Sequence, residues 1–157
     1  MNGSDLGGAE AAELAVRRLY DAFHGRRRVD TEGLLTDDFR FTSPYDDGID
    51  KAAYFERCWP NGDRFVEFSI ERVAADAEGA YVTYWCSTKE GDGFRNTEYL
   101  KVRNGRVASV DVYFGESYHD GKFVPQPQTE REGDARSNDR EATPQGATVP
   151  GAPETAP

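Results

Sequence analysis

Four predicted strands that follow one another directly along the chain constrain the fold more than any other feature. They cover residues 65–74, 80–88, 94–103 and 107–115, where apolar, aromatic and β-branched residues alternate with polar ones. Asn104-Gly105 separates the last two strands, and this dipeptide favours the tight turn of an antiparallel hairpin. Consecutive strands with short connections form an antiparallel sheet, whose apolar face needs a second layer to cover it.

Two of the helices that can supply this layer are predicted at the start of the chain. Apolar residues recur at helical spacing over residues 9–24, and Gly25 follows as a stop signal. A short second helix is expected up to Leu35, with Asp30 or Thr31 as its N-terminal cap.

A first strand and a third helix complete the predicted order. Residues 39–43 alternate like a strand, and Asp50 is expected to cap a helix over residues 51–58. The order α-α-β-α-β-β-β-β predicts an α+β fold in which one curved antiparallel sheet packs on N-terminal helices.

Composition separates a folded unit from the two ends of the chain. All nine Phe, all eight Tyr and both Trp lie within residues 9–124, the predicted domain. Residues 125–157 contain six of the eight prolines, six acids and three arginines, but no aromatic residue. Such a segment buries too little apolar surface to fold alone, so a disordered, acidic, proline-rich tail is expected there. Residues 1–8, with three glycines, are expected to form a flexible lead.

Charge and motifs exclude several classes of partner. The 29 acids outnumber 19 Lys and Arg, and the resulting charge of −10 opposes binding to nucleic acid. No apolar run reaches the roughly 18 residues of a membrane helix, and no secretion signal is apparent. Cys58 and Cys86 fit a reducing compartment, so we expect a cytoplasmic protein with no membrane partner. Because phosphate loops and metal-ligand spacings are missing from the sequence, no cofactor and no metal are expected.

Three stretches within this order carry a resemblance to a known superfamily. They are FTSPYDD (residues 41–47), FRNTEYL (94–100) and VYFG (112–115). Over about residues 9–118 the chain resembles the nuclear transport factor 2-like superfamily, in particular its SnoaL-like, ketosteroid-isomerase-like branch. The resemblance implies a cone-shaped sheet closed by helices around a pocket, and a homodimer that pairs through the outer face of the sheet. It also implies either isomerase, cyclase, dehydratase or hydrolase activity, or binding alone.

The resemblance also implies candidate catalytic residues. Tyr20 stands about where the isomerases have a tyrosine that donates to the substrate oxygen, and Glu98 is in register with their protonated acid. Their general-base aspartate is replaced by Ser43, whose hydroxyl cannot accept a proton at neutral pH as a carboxylate does. Asp46 or Asp47 replaces this base if the loop folds inward.

The alternation of residues 94–103 supports a buried position for Glu98 independently of the resemblance. Asn96 and Glu98 share a face with the apolar residues of the strand, which places a carboxyl group and an amide inside the sheet. An unpaired acid there is held neutral by burial, and it can donate a hydrogen bond to a developing enolate, the use that ketosteroid isomerase makes of it. The alternative is an internal ion pair with Arg57 or Arg40.

The other proposed site residues also have plainer interpretations. Tyr20 can be a core tyrosine, and the acidic cluster at residues 46–50 can be a turn with a helix cap rather than a base or a cation site. The residues expected to bind substrate are Ser43, Tyr45, Trp59, Asn96 and Tyr113.

The sequence therefore predicts a small protein that acts on an apolar, carbonyl-bearing molecule by acid/base chemistry. Glu98 is the expected acid or donor, Asp46 the expected base, and Tyr20 and Asn96 orient the substrate oxygen. The alternative is a non-catalytic module of the same fold that binds a small molecule or serves only for dimerisation.

Overall fold

The computed structural model describes residues 3–124, so the tail predicted for residues 125–157 lies outside the described residues. The helices within this range are α1 (Gly3–His24), α2 (Arg28–Leu34), α3 (Lys51–Arg57) and a 3-10 helix (Trp59–Arg64). The strands are β1 (Leu35–Ser43), β2 (Asp46–Asp50), β3 (Phe65–Ala75), β4 (Gly79–Thr88), β5 (Asp92–Arg103), β6 (Arg106–His119) and β7 (Lys122–Val124).

The strands form one curved, open sheet in the order β2-β1-β6-β5-β4-β3, and β7 pairs with β6. The neighbours from β3 to β6 are antiparallel, as predicted. β1 runs parallel to β6, so the sheet is mixed. This pair escapes prediction because its two strands are far apart in sequence, and their contact depends on how the intervening elements dock.

The first helix begins earlier than its predicted start at residue 9. Glycine disfavours helix, which is why residues 1–8 were expected to be a flexible lead. Gly8, however, lies so close to Ala77 in the β3–β4 turn that an added methyl group would overlap the Ala77 side chain. This tertiary contact holds a segment whose intrinsic propensity for helix is low.

The start of α2 also differs from the prediction. Thr31 does not cap the helix, because its hydroxyl donates to the Arg27 carbonyl within the first turn, at 2.9 Å. At the other end, the Lys51 ammonium donates to the carbonyls of Glu32 (2.7 Å) and Leu35 (3.2 Å). These bonds satisfy carbonyls at the C-terminal end of α2. Leu35 already has an extended backbone, and β1 starts there and not at residue 39.

Two local predictions near β2 and β6 are confirmed, and two short strands are additional. Asp50 caps α3 by accepting a hydrogen bond from the Ala53 amide at 2.9 Å. Asn104 and Gly105 turn between β5 and β6 with φ angles of 51° and 73°. Residues 46–50, which were expected to be a turn, form β2, an edge strand that pairs with β1. β7 was not predicted.

α1 ends at an arginine in a left-handed conformation. The Arg26 amide bonds the Phe23 carbonyl and the Arg27 amide bonds the Ala22 carbonyl, at 3.0 and 2.9 Å. This pair of bonds is a Schellman motif, whose left-handed position is usually glycine. Here Arg26, with φ of 56°, takes that position one residue after Gly25.

The helices cover the inner face of the sheet and form one core with it. α1 contributes Val16 and Leu19, which are buried against Val82 and Leu100 of the central strands. Phe39 of β1 is fully buried and packs edge-on against Tyr54 of α3, with 5.3 Å between ring centroids. No helix within residues 3–124 is long and apolar enough to cross a membrane.

The outer face of the sheet carries a second set of aromatic rings. Tyr84 of β4 points into the core, and the next residue, Trp85, points outward and contacts Tyr118. Further along this face Tyr81 and Tyr99 lie side by side, with ring centroids 4.8 Å apart. The strand alternation therefore distributes the aromatic residues between a covered inner face and an outer face.

Candidate functional site

The centre of the site is a carboxyl group that two tyrosines bind. The Tyr20 hydroxyl of α1 donates to Glu98 Oε2 at 2.6 Å, and the Tyr84 hydroxyl of β4 donates to Glu98 Oε1 at 2.8 Å. Glu98 lies on the inner face of β5, as its alternation predicts, and Tyr84 is on the neighbouring strand. Both carboxyl oxygens therefore have a donor, and both phenolic hydrogens are used.

Glu98 is the least enclosed residue of this cluster. Its accessible surface is intermediate, whereas Tyr20 and Tyr84 are buried. Aromatic rings enclose Tyr20 and Tyr84, with Phe68 at 5.4 and 5.1 Å between centroids and Phe94 at 6.5 Å from Tyr84. Aromatic rings therefore pack around the two tyrosines that bind this carboxyl group.

Burial dominates the titration of this cluster. It raises the pKa of Glu98 because a carboxylate loses its hydration there, and the bonds from Tyr20 and Tyr84 offset part of this effect. Burial, and next the nearby Glu98, also raise the pKa values of both tyrosines. The ion pair considered for Glu98 is not formed among the described residues: Arg57 binds Asp46 at 2.7 Å, and Arg40 donates to the Phe39 carbonyl at 3.4 Å.

Asn96 extends the cluster by one residue. It is buried, and its amide nitrogen donates to the Tyr84 hydroxyl at 3.4 Å. Its carbonyl oxygen is inaccessible and has no hydrogen-bond partner within residues 3–124. Asn96 therefore supports Tyr84, which in turn binds Glu98.

A second carboxylate is held by a separate group of side chains. Asp46 of β2 keeps only 9% of its side chain exposed and forms the ion pair with Arg57. The Ser43 hydroxyl donates to Asp46 Oδ2 at 3.3 Å, and the Cys58 thiol lies 3.9 Å from the same oxygen. Burial, and then Asp46, raise the pKa of Cys58 to about 12, so this thiol stays protonated.

Tyr54 lies on α3, the helix that ends next to Cys58. Its ring packs against Phe39, Phe41 and Phe55, with centroids 5.2–5.3 Å away. Burial is the main cause that raises the pKa of Tyr54, and the Glu98 carboxylate adds to this effect. Tyr54 and Cys58 are one helical turn apart, joined by a 2.8 Å backbone bond.

The remaining sequence-predicted residues lie outside this centre. Trp59 packs edge-on against Phe23 at 5.3 Å, beneath the guanidinium of Arg26 at 4.0 Å. Tyr45 is 46% exposed and contacts Phe114, so it lies at the surface.

Tyr113 lies on the opposite face of the sheet from Glu98. It is 55% exposed and pairs with Thr97, an outer-face residue of β5. Its neighbour Val112 packs against the core, so alternation along β6 turns the Tyr113 side chain outward. Tyr113 is therefore not part of the site that the structure assembles.

A family model for the SnoaL-like domain matches residues 16–110, more than half of the chain. The chain belongs to the SnoaL-like domain family. No curated protein matches it. The expected family is thus confirmed on the part of the domain that contains Tyr20, Asp46 and Glu98.

Solved structures agree on the fold of this SnoaL-like domain. A candidate ketosteroid isomerase from Kribbella flavida is 20% identical, with 93% of each chain covered and a TM-score of 0.59. An LEH-like epoxide hydrolase from M. tuberculosis is 19% identical over 68% of this chain and 84% of its own, with a TM-score of 0.57. A nuclear transport factor 2-like protein of unknown function from Cytophaga hutchinsonii is 14% identical over 66% and 89%, with a TM-score of 0.56. The domain therefore has the α+β cone of this superfamily.

Two tyrosines of the SnoaL-like site were not singled out from the sequence. Tyr84 lies opposite Asn96 in the β4–β5 register, and strand alternation puts either Tyr84 or its neighbour Trp85 on the covered face. Tyr54 had no comparable signal, because one apolar face of a short helix looks the same whether it covers a core or a cavity. Within the described range no three His, Cys, Asp or Glu side chains are grouped to hold a metal ion.

Proposed function

We propose that this SnoaL-like protein binds a small, mostly apolar molecule with a carbonyl group and catalyses proton transfer next to that carbonyl. One observation carries the proposal: among aromatic rings, the bonds from Tyr20 and Tyr84 fix the position of Glu98, an inner-face carboxyl group that keeps accessible surface. The similarity in fold to a candidate ketosteroid isomerase supports the same class of reaction.

The proposed step needs one acid and one base, and the chain offers both. The Asp46 carboxylate removes a proton from the carbon next to the carbonyl, and the electron pair of that C–H bond forms a carbon–carbon double bond. The carbonyl π electrons move to oxygen, where protonated Glu98 donates a hydrogen bond or its proton. Return of the proton to another carbon gives an isomer, and attack of the enolate on a second carbonyl gives a ring.

Ligand binding depends on the protonation of Glu98, because the cluster has few hydrogen-bond donors. When Glu98 is ionised, its two oxygens take up the hydroxyl hydrogens of Tyr20 and Tyr84. A carbonyl oxygen is only an acceptor, so it finds a donor in this cluster once Glu98 has bound a proton. The raised pKa of Glu98 favours this protonated form.

Exchange of carbon-bound hydrogen tests the proposal directly. With 2-tetralone in D2O, the protein is expected to accelerate the loss of the α-proton signals in proton NMR above the buffer rate. Asp46→Asn should slow this exchange about 100-fold or more, because general-base catalysis contributes at least that much. Asp47→Asn, a change at an exposed neighbour of the same strand, is the matched control and should keep the rate.

The outcomes separate the candidate functions. If Asp46→Asn leaves the exchange rate unchanged, Asp46 is not the base. Saturable binding of 2-tetralone without exchange would favour the non-catalytic binding module. If 2-tetralone neither binds nor exchanges, proton transfer next to a carbonyl is refuted.

We further propose that the protein forms a homodimer through the outer face of its sheet. Tyr81 and Tyr113 are 52% and 55% exposed there, which is unusual for large aromatic residues in the middle of a sheet. The double variant Tyr81→Glu/Tyr113→Glu should sediment as a monomer. Val29→Glu, at an 81% exposed position on α2, is the control and should leave the dimer intact. A wild-type protein that sediments as a monomer would contradict this proposal.

A further inference from the structure

Tyr54 differs from the other two tyrosines of the site in how its hydroxyl is used. Tyr20 and Tyr84 each donate to Glu98. The Tyr54 hydroxyl forms no hydrogen bond with any described residue. The Tyr54 side chain nevertheless keeps some accessible surface. Tyr54 therefore keeps a hydroxyl donor that the described part of the protein does not use.

The surroundings of Tyr54 keep this donor in a fixed place. Phe39, Phe41 and Phe55 contact the ring, which cannot swing away without disturbing the core. The ring belongs to α3, and the next turn of that helix carries Cys58, 3.9 Å from the Asp46 carboxylate. Tyr54 is therefore one helical turn from the side chain that contacts the proposed base. A polar group that protein surrounds but does not bind is costly unless water or a ligand satisfies it.

We propose that Tyr54, and not Tyr20, is the tyrosine that donates a hydrogen bond to the oxygen of the bound molecule. This inference rests on the proposed function and names the residue that recognises the ligand. Tyr20 and Tyr84 are positioning residues that hold Glu98. The bound molecule is therefore one whose oxygen accepts a hydrogen bond, such as a ketone, and a hydrocarbon of the same shape lacks this interaction.

Tyr54 also acts on the reaction beyond binding. As the proton leaves the carbon, negative charge develops on the ligand oxygen, and a fixed donor binds a charged oxygen more strongly than a neutral one. Removal of the hydroxyl should therefore weaken binding only modestly and slow exchange more. A packing role alone would give neither effect, because Phe fills the same volume.

The test compares 2-tetralone with tetralin, which has the same two rings but no oxygen. The full-length protein is labelled with carbon-13 at the tyrosine ζ carbon, and signals are assigned by Tyr→Phe variants. The Tyr54 signal should shift saturably with 2-tetralone. Tyr54→Phe should weaken 2-tetralone binding roughly 2- to 10-fold, leave tetralin binding unchanged and slow saturated exchange about 100-fold.

The controls keep the test decisive. Tyr54→Phe removes a hydroxyl without a protein partner, so its melting temperature should equal that of the wild type, which rules out a folding defect. Tyr113→Phe, on the outer face, should change none of these quantities. Equal losses of binding for the two compounds, or a silent Tyr54 signal, would overturn the inference.

The two proposals can fail separately. A shifted Tyr54 signal without hydrogen exchange leaves the recognition role standing and refutes turnover. Exchange at an unchanged rate in Tyr54→Phe refutes the role of Tyr54 and leaves the reaction standing. If neither compound moves the Tyr54 signal and no exchange occurs, both are refuted.

Discussion

Removal of the Tyr20 hydroxyl should destabilise the protein by an amount that depends on pH. Tyr20→Phe deletes the 2.6 Å bond to Glu98 and leaves the ring in place. While Glu98 is ionised, the lost bond is one to a charge, worth about 1.5–3 kcal/mol. Once Glu98 is neutral, the loss falls to that of an ordinary hydrogen bond, about 0.5–1.5 kcal/mol. The free energy of unfolding should therefore drop by about 1 kcal/mol more at high pH than at low pH.

The direction of this pH dependence follows from the titration of Glu98. Burial raises the pKa of Glu98 in the folded protein above its value in the unfolded chain. The stability that this difference contributes is fully present below about pH 4.3 and is lost as the pH rises through the folded pKa. Tyr20→Phe removes a donor that favours the carboxylate, so it raises the folded pKa further and deepens the loss on the alkaline side.

Urea denaturation of the wild type and Tyr20→Phe, between about pH 5 and pH 9, measures this effect. Glu98→Gln is the matched background, because a glutamine has the same shape and does not titrate. In Glu98→Gln the effect of Tyr20→Phe should be independent of pH. A destabilisation that is equal at all pH values in the wild-type background would refute the idea that Tyr20 supports an ionisable, buried Glu98.

Three further predictions concern stability and domain limits. Asp50→Ala should lower the free energy of unfolding by about 0.5–2 kcal/mol in urea denaturation, because it deletes the cap on the Ala53 amide, and an unchanged midpoint would contradict this. Gly93→Ala should lower the free energy of unfolding by about 1–3 kcal/mol, since a methyl group there would overlap the ring of Trp85. Adding Trp85→Leu in the same chain should restore the lost stability. If it does not, the overlap is not the cause of the loss. Deletion of residues 127–157 should leave the melting temperature of the domain unchanged in calorimetry, and a lost transition would show that these residues are needed for folding.

The sequence was sufficient for features that depend on local periodicity. Alternation in β5 placed Asn96 and Glu98 inside the sheet, and the Asn104-Gly105 pair located the last hairpin. Tyr113, which was expected to bind substrate, lies on the outer face instead; along β6 apolar residues occur on both faces, so the pattern does not choose between them. Alternation gives relative positions, and packing decides which face is covered.

Contacts between distant parts of the chain could not be predicted in this way. Tyr20 and Glu98 are 78 residues apart, and their bond depends on the angle at which α1 crosses the sheet. The inward turn of Asp46 depends on β2, an edge strand too short and too acidic to be recognised. Tyr54 was not singled out because its distinguishing feature, a hydroxyl without a hydrogen-bond partner among the described residues, is visible only in the structure. These features follow from tertiary geometry, which the residue types alone do not fix.

The arginine that ends α1 also links the evolution of two separate segments. Besides its left-handed backbone, Arg26 stacks its guanidinium on the Trp59 ring, 4.0 Å from the centroid, and forms an ion pair with Asp63 at 2.9 Å. Glycine at position 26 would relieve the backbone but abandon these contacts, so neither choice is neutral on its own. Among homologues we expect positions 26, 59 and 63 to covary: lineages with glycine at the helix end should also have lost the tryptophan and the aspartate. A substitution of Arg26 is thus tolerated only together with substitutions at positions 59 and 63.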